Sequence, residues 1–301
     1  MSFDVTSSPV IKDDHALEAA SQRNTRKFLR SAIKRNPAAL IGSVILVALV
    51  LLALVGPLLS PYSATVPVDN GLLNAFAAPN AQHWLGLDGQ GRDELSRLVA
   101  GTRLTLLIAV SAVGVGAIIG TIVGAVAGTA GRGVNGLIMR GIDLLLSFPS
   151  LLLALGIVAV FGQGRLQVIF AVGVTTVPVF ARLVYGEVHR QVDMDYVHAA
   201  RMYGASTSRI LFRHLVPNSS HLILVQATLL LSSSVVEVAA LGYLGLGPAD
   251  ASQAEWGSML VEATQTLRSQ PQLVLWPALA LVVTAVATNL LGDGLQKAIE
   301  E

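Results

Sequence analysis

The sequence predicts an all-α integral membrane protein built on six transmembrane helices. Three observations lead there. The 301-residue chain is 53% hydrophobic and only 13% charged, with a mean hydropathy of +0.64, whereas soluble domains carry about 25% charged residues. Six stretches, approximately 38–59, 104–129, 141–161, 167–185, 222–243 and 273–292, each approach the roughly 20 apolar residues a helix needs to cross a bilayer. Positive charge is divided unevenly between the two sides. Lys12, Arg23, Arg26, Lys27, Arg30, Lys34, Arg35, Arg132, Arg140, Arg190, Arg201, Arg209, Arg213 and Lys297 make 14 on one side. Arg92, Arg97, Arg103, Arg165 and Arg268 make 5 on the other, with Arg182 at a helix end uncounted. The richer side is cytoplasmic by the positive-inside rule, which places both termini there.

Composition also excludes classes. A net charge of +1 argues against nucleic-acid binding, which needs a basic surplus. The absence of cysteine removes disulfides, thiolate metal sites and cysteine nucleophiles.

Residues 1–36 form a polar cytoplasmic arm whose basic charge the topology alone explains. The first transmembrane helix, 37–60, is expected to stay in place: about 37 residues precede its apolar core, which is longer than that of a cleaved signal peptide. The external segment 61–103 is rich in Pro, Asn, Asp and Gly. Asp88, Gly89 and Gly91 predict a turn, and Asp93 a cap for a helix that continues through Leu95 and Leu98. Arg92, Asp93, Arg97 and Arg103 are expected to form surface ion pairs. This stretch is either an amphipathic entry helix alone or a docking surface.

A five-helix core follows over 104–297. Gly116, Gly120, Gly124 and Gly128 recur every four residues on one helix face, which predicts close helix packing; the lysine and strand context of a phosphate-binding loop are missing. In the third span Arg140 and Asp143 are spaced to pair, and Pro149 predicts a kink. In the fourth, Thr175, Thr176 and Pro178 predict either a broken helix along a polar path or hydroxyls that satisfy backbone groups freed by the proline. Glu237, the one carboxylate well inside a span, lies about 22 Å from the cytoplasmic end at residue 222. It is a candidate for the translocation pathway or a gate, with structural pairing as the other reading.

The polar loop 187–220 carries Ala199-Ala200, then Gly204 four residues later, then Pro217 thirteen residues beyond. Small side chains let another surface approach the backbone, and proline marks a turn or a new helix start. This spacing resembles the cytoplasmic motif of ABC-importer permeases: Glu-Ala-Ala, three residues, Gly, nine residues, Ile, one residue, Leu-Pro. The external string Trp84-Leu-Gly-Leu-Asp88-Gly-Gln-Gly-Arg92-Asp93-Glu-Leu-Ser-Arg97-Leu is similar to the second-permease (C) branch of the dipeptide/oligopeptide group. So are Leu241-Gly-Tyr-Leu-Gly-Leu-Gly247, Trp256-Gly257 and the final Asn289-Leu-Leu-Gly-Asp293-Gly294. Together they span nearly all of 38–297.

The resemblance implies a type I ABC importer permease architecture and a non-catalytic subunit that forms half of a pathway for di- and oligopeptides. It implies a heterodimer with a homologous permease, two ATP-binding subunits and an external solute-binding protein, in a bacterial plasma membrane. No cofactor would be held by this chain; ATP and magnesium would sit on the partner subunits. His198, Ala199, Ala200, Gly204, Ala205 and Pro217 would dock on the ATPase and couple its cycle to the helices. The chain departs from the motif at His198, which replaces the acid, and at His214 and Val216, so no salt bridge from that acid carries over. Relatives in the group import nickel, glutathione or oligosaccharides, which stay open as solutes. An ion-coupled secondary transporter would show internal repeats and paired membrane acids. A membrane enzyme would show a zinc-protease or nucleophile-elbow motif.

Overall fold

The computed structural model describes residues 36–68, 71–248, 250 and 253–300. The basic arm expected at 1–36 lies outside the described residues except for Asn36. The chain is 76% helical, and no strand occurs among the described residues. Nine helices organise the described residues: α1 (Pro37–Leu59), α2 (Glu94–Thr129), α3 (Arg132–Leu146), α4 (Ser150–Phe161), α5 (Arg165–Gln191), α6 (Asp195–Met202), α7 (Ser220–Tyr243), α8 (Trp256–Thr264) and α9 (Gln272–Glu300). Short α and π turns fill 207–218, and a 3₁₀ turn covers Gly71–Asn74. Among the described residues five helices, α1, α2, α5, α7 and α9, are long and apolar enough to cross a membrane.

The sixth crossing differs from expectation. Instead of one kinked helix over 141–161, α3 and α4 meet at a 92° bend. The chemistry of Ser147-Phe148-Pro149 explains it. A residue before proline is pushed out of the α region, and proline has no N–H to continue the ladder. Ser147 closes the old helix through its N–H to Asp143 O at 3.1 Å, while Leu153 N donates to Pro149 O at 3.1 Å and opens the new one.

α2 and α5 form the largest helix contact and run parallel, because Gly116 faces Gly173 and Thr176, Gly120 faces Val177 and Phe180, and Gly128 faces Val188. Parallel neighbours require the chain to recross between them, so the bent α3–α4 pair serves as that crossing. A Cβ at Gly120 would stand 2.6 Å from Val177 O, and one at Gly128 2.6 Å from Val188 Cγ1. At Gly116 and Gly124 it would overlap Thr176 Oγ1 and Ala181 O. The ladder thus lies flat against α5.

The main core joins four helices: Ile108, Ala109 and Ala112 of α2, Ala154 and Val158 of α4, Val168, Ala171 and Val172 of α5, and Val235, Val238 and Leu241 of α7. α1 lies on α9, where a Cβ on Gly42 would come 2.9 Å from Leu291 N. α5 is one continuous helix through Pro178, so the broken-helix reading at 175–178 does not hold. Thr175 and Thr176 hydroxyls approach Val172 O at 2.7 Å and Gly173 O at 2.8 Å, which leaves them folded back on their own helix.

Candidate functional site

Gly204 organises the 195–219 segment. Its φ of +77° is a left-handed conformation that glycine adopts without a Cβ penalty. Gly204 N donates to Arg201 O at 2.9 Å and Ala205 N to Ala200 O at 3.0 Å, the paired bonds of a Schellman helix end. Ala200 and Ala205 turn inward, onto a cluster of Ala125 from α2, Val184 and Val188 from α5, and Val197, Ile210, Leu211 and Leu215. His198, Ala199 and Gly204 point outward and are exposed, as are Met202 and Tyr203, 89% and 93% accessible. The segment therefore has an anchored face and an open face. Pro217 lies in the short helix Val216–Asn218, which follows directly on the π turn Leu211–Leu215 without a break in the helical backbone. Ser206 caps the turn before it by accepting from Arg209 N at 3.3 Å.

One anchor was missed in the sequence. Gln191, fully buried at the end of α5, accepts from Tyr196 OH at 2.6 Å and from Asn218 Nδ2 at 3.1 Å through Oε1. Its Nε2 donates to Glu187 Oε1 at 2.5 Å. Three residues on three elements are thereby tied to one amide. A glutamine in a polar loop shows no spacing signal, so only the fold exposes its role.

At the opposite end of α2, charges expected on the surface are buried. Arg92 and Arg97 are 1% and 0% exposed. Asp88 Oδ2 accepts from Arg92 Nε and Arg97 Nη1, each at 2.6 Å. Glu262 of α8 accepts from Arg92 Nη2 at 3.0 Å and lies 3.0 Å from Arg97 Nη2. Asp88 Oδ1 also accepts from Gln90 N and Arg92 N, both at 2.8 Å. The Asp88-Gly-Gln-Gly turn is what allows this: it folds its own carboxylate back over the first turns of α2. Asp93 caps α2 as expected, through Ser96 N at 2.8 Å, and meets His83 Nδ1 at 2.9 Å. Burial pushes the Glu262 carboxyl above its usual range against the opposing pull of Arg92.

Glu255 closes the same end. It is fully buried and caps α8 by accepting from Gly257 N at 2.8 Å and Ser258 N at 2.9 Å. Burial raises its pKa to about 7 against those hydrogen bonds. Trp256 is wholly buried and donates its indole N–H to Leu98 O at 3.1 Å.

Glu237 is half-buried on α7. Its Oε2 lies 3.2 Å from Thr175 Oγ1 of α5, so the two threonine-bearing and carboxylate-bearing faces meet. Arg140 and Asp143 do not pair with each other. Asp143 instead accepts from Arg182 Nη2 at 2.6 Å, because the 92° turn lays α3 against α5.

Residues 120–301 match the family described as binding-protein-dependent transport system inner membrane component. Residues 26–79 match the N-terminal transmembrane domain of oligopeptide transport permease C. The chain is 40% identical over 270 residues to the dipeptide transport system permease protein DppC of Alkalihalophilus pseudofirmus, covering 89% of this chain and 87% of that one. It is 41% identical over 292 residues to the glutathione transport system permease protein GsiD of Salmonella typhimurium, covering 97% and 93%. The GsiD of Pectobacterium atrosepticum is 38% identical over 292 residues, covering 97% and 94%.

Proposed function

This chain belongs to the family of inner-membrane components of binding-protein-dependent transport systems, in its peptide-transport branch, and on that premise we propose that it is half of the translocation pathway of an ATP-driven importer for di- and oligopeptides. The observation that carries the reading is the two-faced 195–219 segment. Its inner face is braced on α2 and α5, and its outer face offers Ala199, Met202, Tyr203 and Gly204 to a partner. A docked surface that moves would drag Tyr196 and Asn218, and through Gln191 the end of α5. ATP and magnesium stay on two partner ATPase subunits, a homologous permease supplies the other half of the pathway, and an external binding protein delivers the solute. Nucleotide binding favours one arrangement of the paired bundles and hydrolysis the other, a shift of populations set by differential contacts. The 195–219 end and both termini are cytoplasmic, in a bacterial inner membrane. Glu237, beside Thr175 between α5 and α7, lines the pathway or its gate. Glutathione is the second reading for the solute, favoured by the two GsiD relatives.

Gly204→Val tests the coupling role. It adds roughly 1–2 kcal/mol of backbone strain at a left-handed position, while the space around a new Cβ is open, so the subunit still inserts. Expected is loss of ATPase retention or of hydrolysis stimulated by loaded binding protein, with Ala199→Glu acting alike. Normal uptake in both variants would sink the reading. Orientation is checked by thiols at Ser206→Cys and Ser63→Cys, labelled only from inside and only from outside.

A further inference from the structure

Between α3 and α5, at the end that carries the 195–219 segment, lies an open cleft of about 580 Å³. That volume falls within the roughly 300–1,000 Å³ of small-molecule sites. Arg132, Met139, Arg140 and Asp143 line it from α3, and Arg182 and Tyr185 from α5. Asn135 joins them and donates to Tyr185 OH at 3.1 Å, which leaves the phenol its own proton to donate. The spacing 132, 135, 139 and 143 puts one stripe of α3 on the cleft. The far side of α3 exposes Val134, Leu137 and Leu144. An amphipathic helix in a membrane turns its apolar side to lipid, so the cleft is on its watered side.

Charge sets the ligand class. Three arginines face a single acid there, and among the described residues Arg132 and Arg140 make no ion pair. Arg182 is held by Asp143 at 2.6 Å, but both side chains are open to solvent, 59% and 50%. Exposed pairs of this kind are weak and exchangeable. We infer that this cleft receives the carboxylate of the transported solute at the cytoplasmic mouth of the pathway, an assignment that rests on the import reading above. The planar guanidiniums of Arg182 and Arg140 suit a carboxylate, and a solute that also bears an ammonium group replaces the partner that Asp143 gives up. Because one ion pair is traded for two similar ones, binding stays weak, as an exit site requires. Gly136 and Gly186, where a Cβ would meet nothing within 4 Å, keep the cleft open.

The test uses the assembled importer in lipid nanodiscs. The chain has no cysteine, so Met139→Cys places one thiol in the cleft, read on this chain by mass. A sulfonate-bearing thiosulfonate reagent is expected to react about tenfold faster than its trimethylammonium counterpart, since clustered positive charge concentrates anions. Adding Arg140→Gln and Arg182→Gln should abolish that preference. Alanyl-alanine should slow the reaction, and its C-terminal amide should not. In proteoliposomes the Arg140→Gln/Arg182→Gln importer should keep ATP hydrolysis stimulated by loaded binding protein while uptake per ATP falls severalfold. Equal rates for the two reagents, equal protection by the two dipeptides, or a thiol that neither reagent reaches would each overturn the assignment. If wild-type proteoliposomes show no ATP-dependent uptake, it is the import reading that fails.

Discussion

The two ends of the helix bundle use the same ions in opposite ways. At one end Asp88, Arg92 and Arg97 form a buried lattice, the arginines 1% and 0% exposed, joined by the half-buried Glu262. At the other, Arg182 and Asp143 meet at 2.6 Å, the same separation as Arg97 to Asp88. Distance does not separate these pairs; solvent does. In water two charges attract weakly and part cheaply, whereas a buried charge that loses its partner has neither water nor counter-ion to turn to. The buried end behaves as a clamp between the 83–97 stretch and α8, and the open end as a set of contacts that can be exchanged.

Breaking the clamp is expected to cost most. Arg97→Met leaves Asp88 and Glu262 under-compensated and should destabilise the chain by about 3–5 kcal/mol, read as a lower thermal midpoint and lower yield of the complex. Little change in either would mean that the buried lattice is not what holds this end. At the open end the strongest effect belongs to the buried amide of Gln191. Gln191→Leu removes the acceptor of Tyr196 OH and Asn218 Nδ2, which water replaces in part because both residues are exposed, and should cost about 0.5–1.5 kcal/mol. It should also lower uptake per ATP more than ATP hydrolysis itself, because the 195–219 segment loses its tie to α5. Parallel loss of both rates would assign Gln191 to stability alone.

A third outcome concerns pH. Glu255, raised to about 7 by burial, binds a proton more readily folded than unfolded. Its stabilising contribution is therefore complete below the ordinary carboxylate range and is lost as pH rises through about 7. Glu262 shifts in the same direction. Unfolding of the wild type followed from pH 5 to pH 8 should show falling stability, and Glu255→Gln should flatten that slope. An unchanged slope would remove Glu255 as its source. The smallest effect is expected at Arg182→Ala, below about 1 kcal/mol in stability. A loss as large as that of Arg97→Met would erase the contrast between the two ends.

What was legible in the sequence follows from local rules. Asp93 as a helix cap and the four-residue glycine repeat depend on neighbours within a turn or two, and each is found where spacing placed it. The six apolar stretches were legible for the same reason, since the bilayer demands length and apolarity of each segment separately. Pro149 was legible as an interruption but not as a 92° turn, whose angle goes with the packing of α4 on α5 and α7.

Partner choice was decided by the tertiary structure alone. Arg140 stands three residues from Asp143, yet the turn at Pro149 brings Arg182, 39 positions away, to that carboxylate. Arg92 and Arg97 read as surface charges until α8 arrives with Glu262, 170 positions from Arg92. Gln191 gains its meaning only when Tyr196 and Asn218 fold onto one amide. Helix formation, capping and membrane insertion are short-range or solvent-imposed, so residue order determines them. Which charge is buried, which is exposed and which pairs with which depends on the helices that surround it, and those are assembled from the whole chain.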